Sequence, residues 1–445
     1  MSQNTNLTPA QGGRITVIDA LRGFSLLGVI LVHFQQHYSV HSMGPFNEHT
    51  PILAQFNDAV FWFVQNVLMG RFINIFAFLF GMSFFIQMDR AAKKGIDFRG
   101  RFLWRMVILF AIGIIGSAFY SGDILSLYAI YGVVLLLINP LKNWMLTALA
   151  ALILLGTPKL TTFAYDKITA PPAVEQVEEA PERPRMPENM GERPRGERPS
   201  GERPSGERPR GERPRGEHPS FVPERITFAK SVENNLTRGV TEKISYQFQA
   251  TNRGYITLAI FILGLIVGRL RFFETAHLHM RRNLILFALF IAGNLIFGWL
   301  ANIVAPGMDP SMWFLRSGPP TLQTIMGTAL FDVESVFSSA ALLMAFVILY
   351  NIPAIGKVLD VLAPYGRMGL TNYVSQSIIG ACLFAMWGLG STFGAWGYAE
   401  LMIVGLGLYI SQIIISTIWL RYFKYGPLEW LWRSATYLKW QPFKK

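Results

Sequence analysis

Residues 15–36 read ITVIDALRGFSLLGVILVHFQQ, and this stretch predicts the fold class. It is apolar except for Asp19, Arg22 and His33 and for the polar residues at its ends. As a helix it would be about 33 Å long, enough to cross a hydrocarbon core of about 30 Å. It is too long for the hydrophobic part of a signal peptide and ends without a small-residue cleavage pattern, so we interpret it as a retained membrane anchor.

The rest of the chain repeats this pattern and predicts an all-α, polytopic membrane bundle of about ten transmembrane helices. Of its 445 residues, 51% are hydrophobic and 15% are charged, and the mean hydropathy is +0.32. Soluble domains carry about 25% charged residues. A single cysteine, Cys382, also excludes an internal disulfide framework. The further spans are predicted at about 70–88, 104–120, 124–140, 143–158, 254–270, 283–304, 327–350, 368–390 and 399–421.

Lysine and arginine are concentrated in alternate loops, which predicts the orientation of the bundle. If both termini are cytoplasmic, the inner segments hold twenty Lys and Arg residues, whereas the short outer loops hold only Arg316. This asymmetry follows the positive-inside rule. It accounts for the formal net charge of +12, so we do not expect the protein to bind nucleic acid.

The long segment 159–253 divides the chain into two predicted halves. Residues 1–158 form an N-terminal membrane half with five spans, and residues 254–445 form a C-terminal half with five spans and a cytoplasmic tail. The segment between them is predicted to be extracytoplasmic. Its residues 191–220 repeat GERPR, GERPS or GEHPS, and a proline in every repeat with alternating charge predicts a disordered tether.

The first span carries three ionisable residues at membrane depth. Asp19 and Arg22 are three residues apart on a helix and can form an ion pair. Arg22 and His33 point in the same direction, about 16 Å apart along the axis. Charged groups in a span are expensive and therefore suggest function. A structural ion pair with a hydrogen-bonded buried histidine is the alternative interpretation.

Two other residues are predicted at the depth of His33, on the outer side. Arg71 begins the second span and Asp123 begins the fourth. A histidine base, a carboxylate that orients it and a cation that stabilises negative charge are the minimum for acid–base catalysis. Asn372 and Gln376, on neighbouring faces of the ninth span, could line a polar cavity or join helices.

A basic cluster at the predicted cytoplasmic face also has two interpretations. Arg101 and Arg105 share one helix face with Arg99 beside them. Arginines in this arrangement can bind the phosphates of a nucleotide-like donor. Ordinary positive-inside anchoring requires the same residues.

Histidines recur at intervals of four in His33, His37 and His41. No cysteine or carboxylate lies at a spacing that would complete a metal site. We therefore predict no metal site, and the chain has no Walker A or HExxH motif.

Five blocks of the sequence resemble the YeiB-type family of bacterial multi-pass membrane proteins, and together they extend over most of the chain. That family is distantly similar to transmembrane acyltransferases, among them bacterial O-acetyltransferases of surface polysaccharides and lysosomal heparan N-acetyltransferase. The blocks are RITVIDALRGFSLLGVILVHF (14–34), GRFINIFAFLFGMSFFIQ (70–87), SGDILSLYAIYG (121–132), YGRMGLTNYVSQS (365–377) and GPLEWLWRSATY (426–437).

The resemblance implies transfer of an acyl group from cytosolic acyl-CoA to a sugar or envelope component outside the cell membrane. Asp19, Arg22 and His33 match the spacing found in the O-acetyltransferases. His33 would then be the general base, Arg71 would offset oxyanion charge and Asp123 would orient the histidine or the acceptor.

The donor would be held by the remaining predicted residues. Arg99, Arg101 and Arg105 would bind the phosphates of acyl-CoA, and Asp19 with Arg22 would line the passage of its pantetheine arm. Typical YeiB-type members carry Asn in place of His33.

Two other functions remain open from the sequence. One is a transporter or exporter of a small polar molecule, in which the same intramembrane residues line the substrate path. The other is a non-catalytic envelope membrane protein. In each case we expect a bacterial inner-membrane protein whose partners are the lipid bilayer and, for an enzyme, a small-molecule donor and acceptor. The sequence leaves homo-oligomerisation open.

Overall fold

The computed structural model describes residues 15–39, 49–169, 226–307 and 320–445. These residues form an all-helical structure without strands, apart from one antiparallel bridge between Phe423 and Lys444. The repeat at 191–220 lies outside the described residues, and so does His41.

The described residues contain nineteen α-helices, together with short turns and 3-10 or π-helical segments. The first ten are α1 (Thr16–Gln35), α2 (Asn57–Phe63), α3 (Arg71–Ala92), α4 (Arg99–Phe119), α5 (Leu125–Ile138), α6 (Asn143–Leu154), α7 (Thr157–Thr169), α8 (Phe228–Leu236), α9 (Arg238–Ile244) and α10 (Arg253–Arg269). The others are α11 (Phe272–Thr275), α12 (Met280–Val304), α13 (Leu322–Tyr350), α14 (Pro353–Leu359), α15 (Leu362–Arg367), α16 (Gly369–Phe384), α17 (Gly390–Phe393), α18 (Tyr398–Tyr422) and α19 (Pro427–Tyr437).

Six of the helical stretches in the described part of the chain are long and apolar enough to cross a membrane. Two bent pairs raise the number to eight if each is one span: α6 with α7, bent by 56°, and residues 228–250 with α10, bent by 76°. The prediction of ten spans therefore exceeds what helix length supports. Predicted spans four and nine correspond to α5 and α16, which have only 14 and 16 residues. Ten spans and cytoplasmic termini stay predictions.

Glycines allow helices from the two predicted halves to pack backbone against backbone. A Cβ on Gly81 of α3 would lie 2.1 Å from the Phe261 carbonyl oxygen of α10, and one on Gly264 would lie 2.2 Å from that of Phe78. A Cβ on Gly366 of α15 would lie 1.8 Å from the Asp19 carbonyl oxygen of α1. Small residues permit this approach, so helices of the two predicted halves are in direct backbone contact.

Contacts between helix ends define two ends of the bundle. Arg271 binds Asp89 at the end of α3 at 2.9 Å, and Arg269 at the end of α10 donates to the carbonyl oxygen of Leu141 at 2.9 Å. The start of α4 lies at this same end, which we call the basic end. The opposite end contains the starts of α3 and α10 and the end of α4.

A helical segment at 228–250 lies across the opposite end of the bundle. Asn235 of α8 donates to the carbonyl oxygen of Ala118 at the end of α4, at 2.9 Å. A Cβ on Gly239 of α9 would lie 2.8 Å from the Cβ of Ser121. This segment belongs to the predicted extracytoplasmic region 159–253, and its contacts bring it against the spans.

Candidate functional site

A cavity of about 220 Å³ lies inside the bundle, between α1, α3, α4, α5, α15, α16 and α19. Arg22, Arg105 and Arg367 line it towards the basic end, and Tyr128 and Tyr373 line its inner end. The wall between them is largely aromatic and aliphatic, with Phe76, Leu79, Phe80, Phe84, Phe102, Met106, Leu109, Leu125 and Leu370. The cavity therefore combines cationic groups with an apolar interior.

The C-terminal helix α19 holds one of the predicted arginines in the cavity wall. The guanidinium of Arg105 stacks on the ring of Trp432, 3.7 Å from its centroid, and Trp432 Nε1 donates to the Arg105 carbonyl oxygen at 3.1 Å. Arg101 instead stacks on Tyr437, at 5.1 Å. Arg99 is exposed at the start of α4. Of the three predicted phosphate ligands, the structure thus places only Arg105 in the cavity lining.

Asp19 and Arg22 form the ion pair that their spacing predicts. Arg22 Nη1 lies 2.8 Å from Asp19 Oδ1, and Arg22 Nη2 donates to Ser83 Oγ of α3. Asp19 is buried, whereas Arg22 faces the cavity. Through Ser83, Arg22 joins α1 to α3. Its guanidinium is also part of the cavity wall.

His33 and Asp123 both contact Tyr120. The ring centroids of His33 and Tyr120 are 4.9 Å apart, and the Asp123 amide donates to the Tyr120 carbonyl oxygen at 3.0 Å. Tyr373, at the inner end of the cavity, accepts a hydrogen bond from the Ile124 amide at 3.4 Å. The structure therefore brings His33 and Asp123 to one region, next to the inner end of the cavity.

Asp123 occupies the turn between α4 and α5 and is fully buried. Its Oδ2 accepts from the Leu125 amide at 3.0 Å, while its Oδ1 has no partner among the described residues. Burial raises the pKa of the Asp123 carboxyl to about 7, although the nearby Lys243 opposes this shift. A buried carboxyl that titrates near neutral pH is suited to exchange a proton.

The cation next to Asp123 is Lys243 of α9. Its Nζ donates to Ser117 Oγ and to the Asp123 carbonyl oxygen, both at 3.0 Å, and to Ser126 Oγ at 3.4 Å. The sequence prediction gave this position to Arg71. Lys243 was missed because its own stretch of sequence is polar and carries no sign that it folds back onto α4.

Arg71 is held elsewhere, by α13. Its Nη2 lies 3.5 Å from Glu334 Oε1, its Nε donates to Ser338 Oγ at 3.0 Å and its Nη1 donates to the Met69 carbonyl oxygen at 3.2 Å. Each of the three guanidinium nitrogens of Arg71 therefore has a partner. The structure does not bring this guanidinium to His33. Glu334 and Asp332 both lie in the predicted span 327–350, so the rule that flagged Asp19 would also have found them.

Asn372 and Gln376 join helices. Asn372 Nδ2 donates to Ser416 Oγ of α18 and to the Tyr365 carbonyl oxygen of α15, both at 3.0 Å. Gln376 Nε2 donates to Gln412 Oε1 at 2.9 Å. Neither residue lines the cavity, so of the two roles that the sequence left open, these contacts favour the joining of helices.

No group of three or more metal-ligating side chains occurs within the described ranges.

Comparisons with known proteins identify relatives of unknown function. Residues 267–439 match the family "Protein of unknown function (DUF418)". The chain is 28% identical over 440 residues to "Uncharacterized protein YxaH" of Bacillus subtilis (strain 168), covering 97% of this chain and 96% of the relative. It is 26% identical over 439 residues to the "Uncharacterized 39.9 kDa protein in amylase 3'region" of Bacillus acidopullulyticus, covering 95% and 94%.

A shorter match connects the chain to Escherichia coli (strain K12). It is 42% identical over 80 residues to "Uncharacterized protein YeiB", covering 18% of this chain and 20% of that protein. Together with the apolar helices, these matches support the YeiB-type resemblance, with the DUF418 match lying in the C-terminal part of the chain.

Proposed function

We propose that the protein is a membrane-embedded acyltransferase that accepts an acyl group from acyl-CoA at the basic end. The observation that supports this function is the cavity, in which Arg22, Arg105 and Arg367 lie at one end of an apolar interior. Acyl-CoA has the same arrangement, with phosphates that arginine binds well and a thioester with an apolar chain. In this proposal the pantetheine arm or the acyl group enters the cavity, and the nucleotide stays outside it.

The chemistry is assigned to the region next to the inner end of the cavity, and it needs a base and a cation. An acceptor hydroxyl or amine attacks the thioester carbonyl carbon while His33 takes its proton. The tetrahedral intermediate then breaks its C–S bond, and the CoA thiolate leaves with the proton that His33 gives up. Asp123 orients the imidazole or the acceptor, and Lys243 supplies the positive charge near the developing oxyanion. The acceptor is a sugar or envelope component that approaches from the opposite end.

The test measures donor binding and transfer with the full-length protein. In neutral detergent, acetyl-CoA should raise the thermal unfolding midpoint of the wild type. Arg105→Gln should lower the affinity for acetyl-CoA at least tenfold. Arg281→Gln is the matched control, because Arg281 is an exposed arginine at the same end and outside the cavity. No stabilisation of the wild type, or unchanged affinity in Arg105→Gln, would refute donor binding in the cavity.

Transfer is then measured in inverted membrane vesicles supplied with radiolabelled acetyl-CoA. His33→Ala should lower incorporation of label by at least 100-fold while acetyl-CoA still stabilises the purified variant. A His33→Ala protein that folds, reaches the membrane and transfers at the full rate rules out the base assignment.

A transporter of a small polar molecule is the second candidate function. It is favoured by the charged layer of Arg71, Glu334, Asp332 and Arg253 within or next to the spans, since such groups mark substrate and ion paths. Solute flux into sealed proteoliposomes without CoA, abolished by Glu334→Gln, would support the carrier in place of the enzyme.

A further inference from the structure

Arg253 lies where the starts of α3 and α10 meet. Gly70 precedes α3 with a φ of +78°, and a Cβ on it would lie 2.2 Å from Arg253 Nη2. The backbone conformation at position 70 favours glycine, and the Arg253 guanidinium packs directly against it. The starts of two helices carry partial positive charge, so three sources of positive potential converge here.

Arg253 forms no direct ion pair with a carboxylate among the described residues, although Asp332 lies within electrostatic range of it. Within the described ranges, its guanidinium has one hydrogen-bonding contact, from Nη1 to Asn74 Oδ1 at 3.5 Å. The neighbouring Arg71 is different, because Glu334 pairs with it.

The surrounding network has an excess of positive charge. Its cations are Lys159, Arg71 and Arg253, and its carboxylates are Asp332 and Glu334. Asp332 accepts a hydrogen bond from Asn252 at 2.8 Å and lies within electrostatic range of both Arg253 and Lys159. Even with both carboxylates ionised, one positive charge is left over, and Arg253 is the arginine of this network that has no ion-pair partner among the described residues.

A second donor without an acceptor lies beside Arg253. The side chain of Tyr128 is 1% exposed, its hydroxyl has no partner in the described part of the chain, and it lies within electrostatic range of Arg253. Buried hydroxyls are normally hydrogen-bonded. Tyr128 of α5 also forms part of the inner end of the cavity, whereas Arg253 of α10 does not line it.

Asn74 accepts the hydrogen bond from Arg253 and is itself bonded to α13. Its Nδ2 donates to Ser339 Oγ at 3.1 Å and to Ser335 Oγ at 3.3 Å, which leaves Oδ1 turned towards the guanidinium. Asn74 is buried and packs against α13 through these bonds. It is a positioning residue that holds the Arg253 donors in place.

We propose that Arg253 and Tyr128, positioned by Asn74, bind an oxyanion group, either a phosphate or a carboxylate, of a substrate that enters the bundle. A guanidinium binds either group through two parallel hydrogen bonds, and the Tyr128 hydroxyl donates a further one. The anion also relieves the repulsion between Arg253 and Arg71. This inference does not rest on acyl transfer, since Arg253 does not line the cavity that Arg22, Arg105 and Arg367 line.

The test uses the full-length protein in neutral detergent, with sodium phosphate or sodium acetate compared with sodium chloride at equal ionic strength. Phosphate or acetate should raise the unfolding midpoint by about 3 °C or more at saturation. Arg253→Gln should remove the rise, and Arg253→Lys should keep only part of it. Arg238→Gln is the matched control, because Arg238 is exposed and paired with Glu242 on α9, and it should keep the full rise.

Each outcome is decisive. A rise with phosphate indicates a phosphate-bearing ligand and a rise with acetate indicates a carboxylate, and either supports the site. No rise in the wild type, or a full rise in Arg253→Gln, overturns it. If Arg253→Gln does not fold, Tyr128→Phe replaces it and should lose at least half of the rise, and an unchanged rise overturns the proposal.

One further variant separates this site from the cavity. A rise that is lost in Arg105→Gln and kept in Arg253→Gln places the anion among the cavity arginines. That result overturns the Arg253 site and leaves the acyl-CoA proposal intact.

Discussion

Asp123 shows at the scale of one residue how the bundle creates a titratable group. In an unfolded chain its carboxyl would have a pKa of 3.8, whereas burial raises the value to about 7 in the folded protein. The cause is the loss of solvation, because only one of its side-chain oxygens is hydrogen-bonded. The fold therefore favours the protonated form.

The pH dependence of stability follows from this shift. Because the folded protein binds the proton more tightly, the contribution of Asp123 is fully present below about pH 4 and is lost as the pH rises through about 7. Asp123→Asn mimics the protonated acid, so it should be more stable than the wild type at pH 8, with the difference shrinking towards pH 5. Thermal unfolding midpoints of both proteins across this range measure the effect. A difference that is constant with pH would contradict the raised pKa.

At the scale of helices, the crossing of α3 and α10 depends on Gly81 and Gly264. Each faces a backbone carbonyl of the other helix, so an added methyl group has no flexible side chain to displace. Moving the helices apart would also disturb the aromatic packing of Phe80 with Phe261, whose centroids are 4.9 Å apart. Overpacking of this kind costs about 1–3 kcal/mol.

We therefore expect Gly81→Ala and Gly264→Ala each to lower the unfolding free energy by about 1–3 kcal/mol. Gly407→Ala in α18 is the matched control, since a Cβ there meets no atom within 4 Å, and it should be neutral or slightly stabilising. Unfolding in mixed detergent measures all three. Equal effects at positions 264 and 407 would show that helix propensity, and not the close crossing, decides the result.

Helix α19 connects the C-terminal part of the chain to the cavity. The carboxylate of Glu429 accepts hydrogen bonds from the amides of Leu370 and Thr371 at the start of α16, at 2.7 and 3.0 Å, while Trp432 supports Arg105. Both contacts fix the position of cavity-lining residues. The block 426–437 is thus a structural part of the candidate site.

At the scale of the whole molecule, the difference in charge between the two ends of the bundle predicts its orientation in the membrane. The basic end should face the cytoplasm, which the acyl-CoA proposal also requires.

Cysteine labelling checks this orientation. In a Cys382→Ser background, the exposed lysines Lys357 of α14 and Lys230 of α8 are replaced one at a time by cysteine. A membrane-impermeant maleimide should label Lys230→Cys in cells with a permeable outer envelope and Lys357→Cys only after the inner membrane is opened. The reverse pattern would place the basic end outside and remove the route for a cytosolic donor.

The local sequence was sufficient to predict the fold class, which follows from composition, and the interactions that form within one helix. It predicted a helical membrane protein because apolar stretches must satisfy their backbone hydrogen bonds internally, and it predicted the Asp19–Arg22 pair because residues three apart on a helix are neighbours. It also singled out His33 and Asp123, both of which contact Tyr120 in the structure.

Only the tertiary structure determined which distant groups meet. Arg71 pairs with Glu334, 263 residues away, and Lys243 reaches Asp123 from 120 residues away, because the packing of α13 and α9 against the bundle sets those contacts. No local pattern encodes such pairings. The cavity likewise exists only where α1, α3, α4, α5, α15, α16 and α19 converge, since its shape depends on how side chains from seven helices pack, and not on the hydropathy of any one of them.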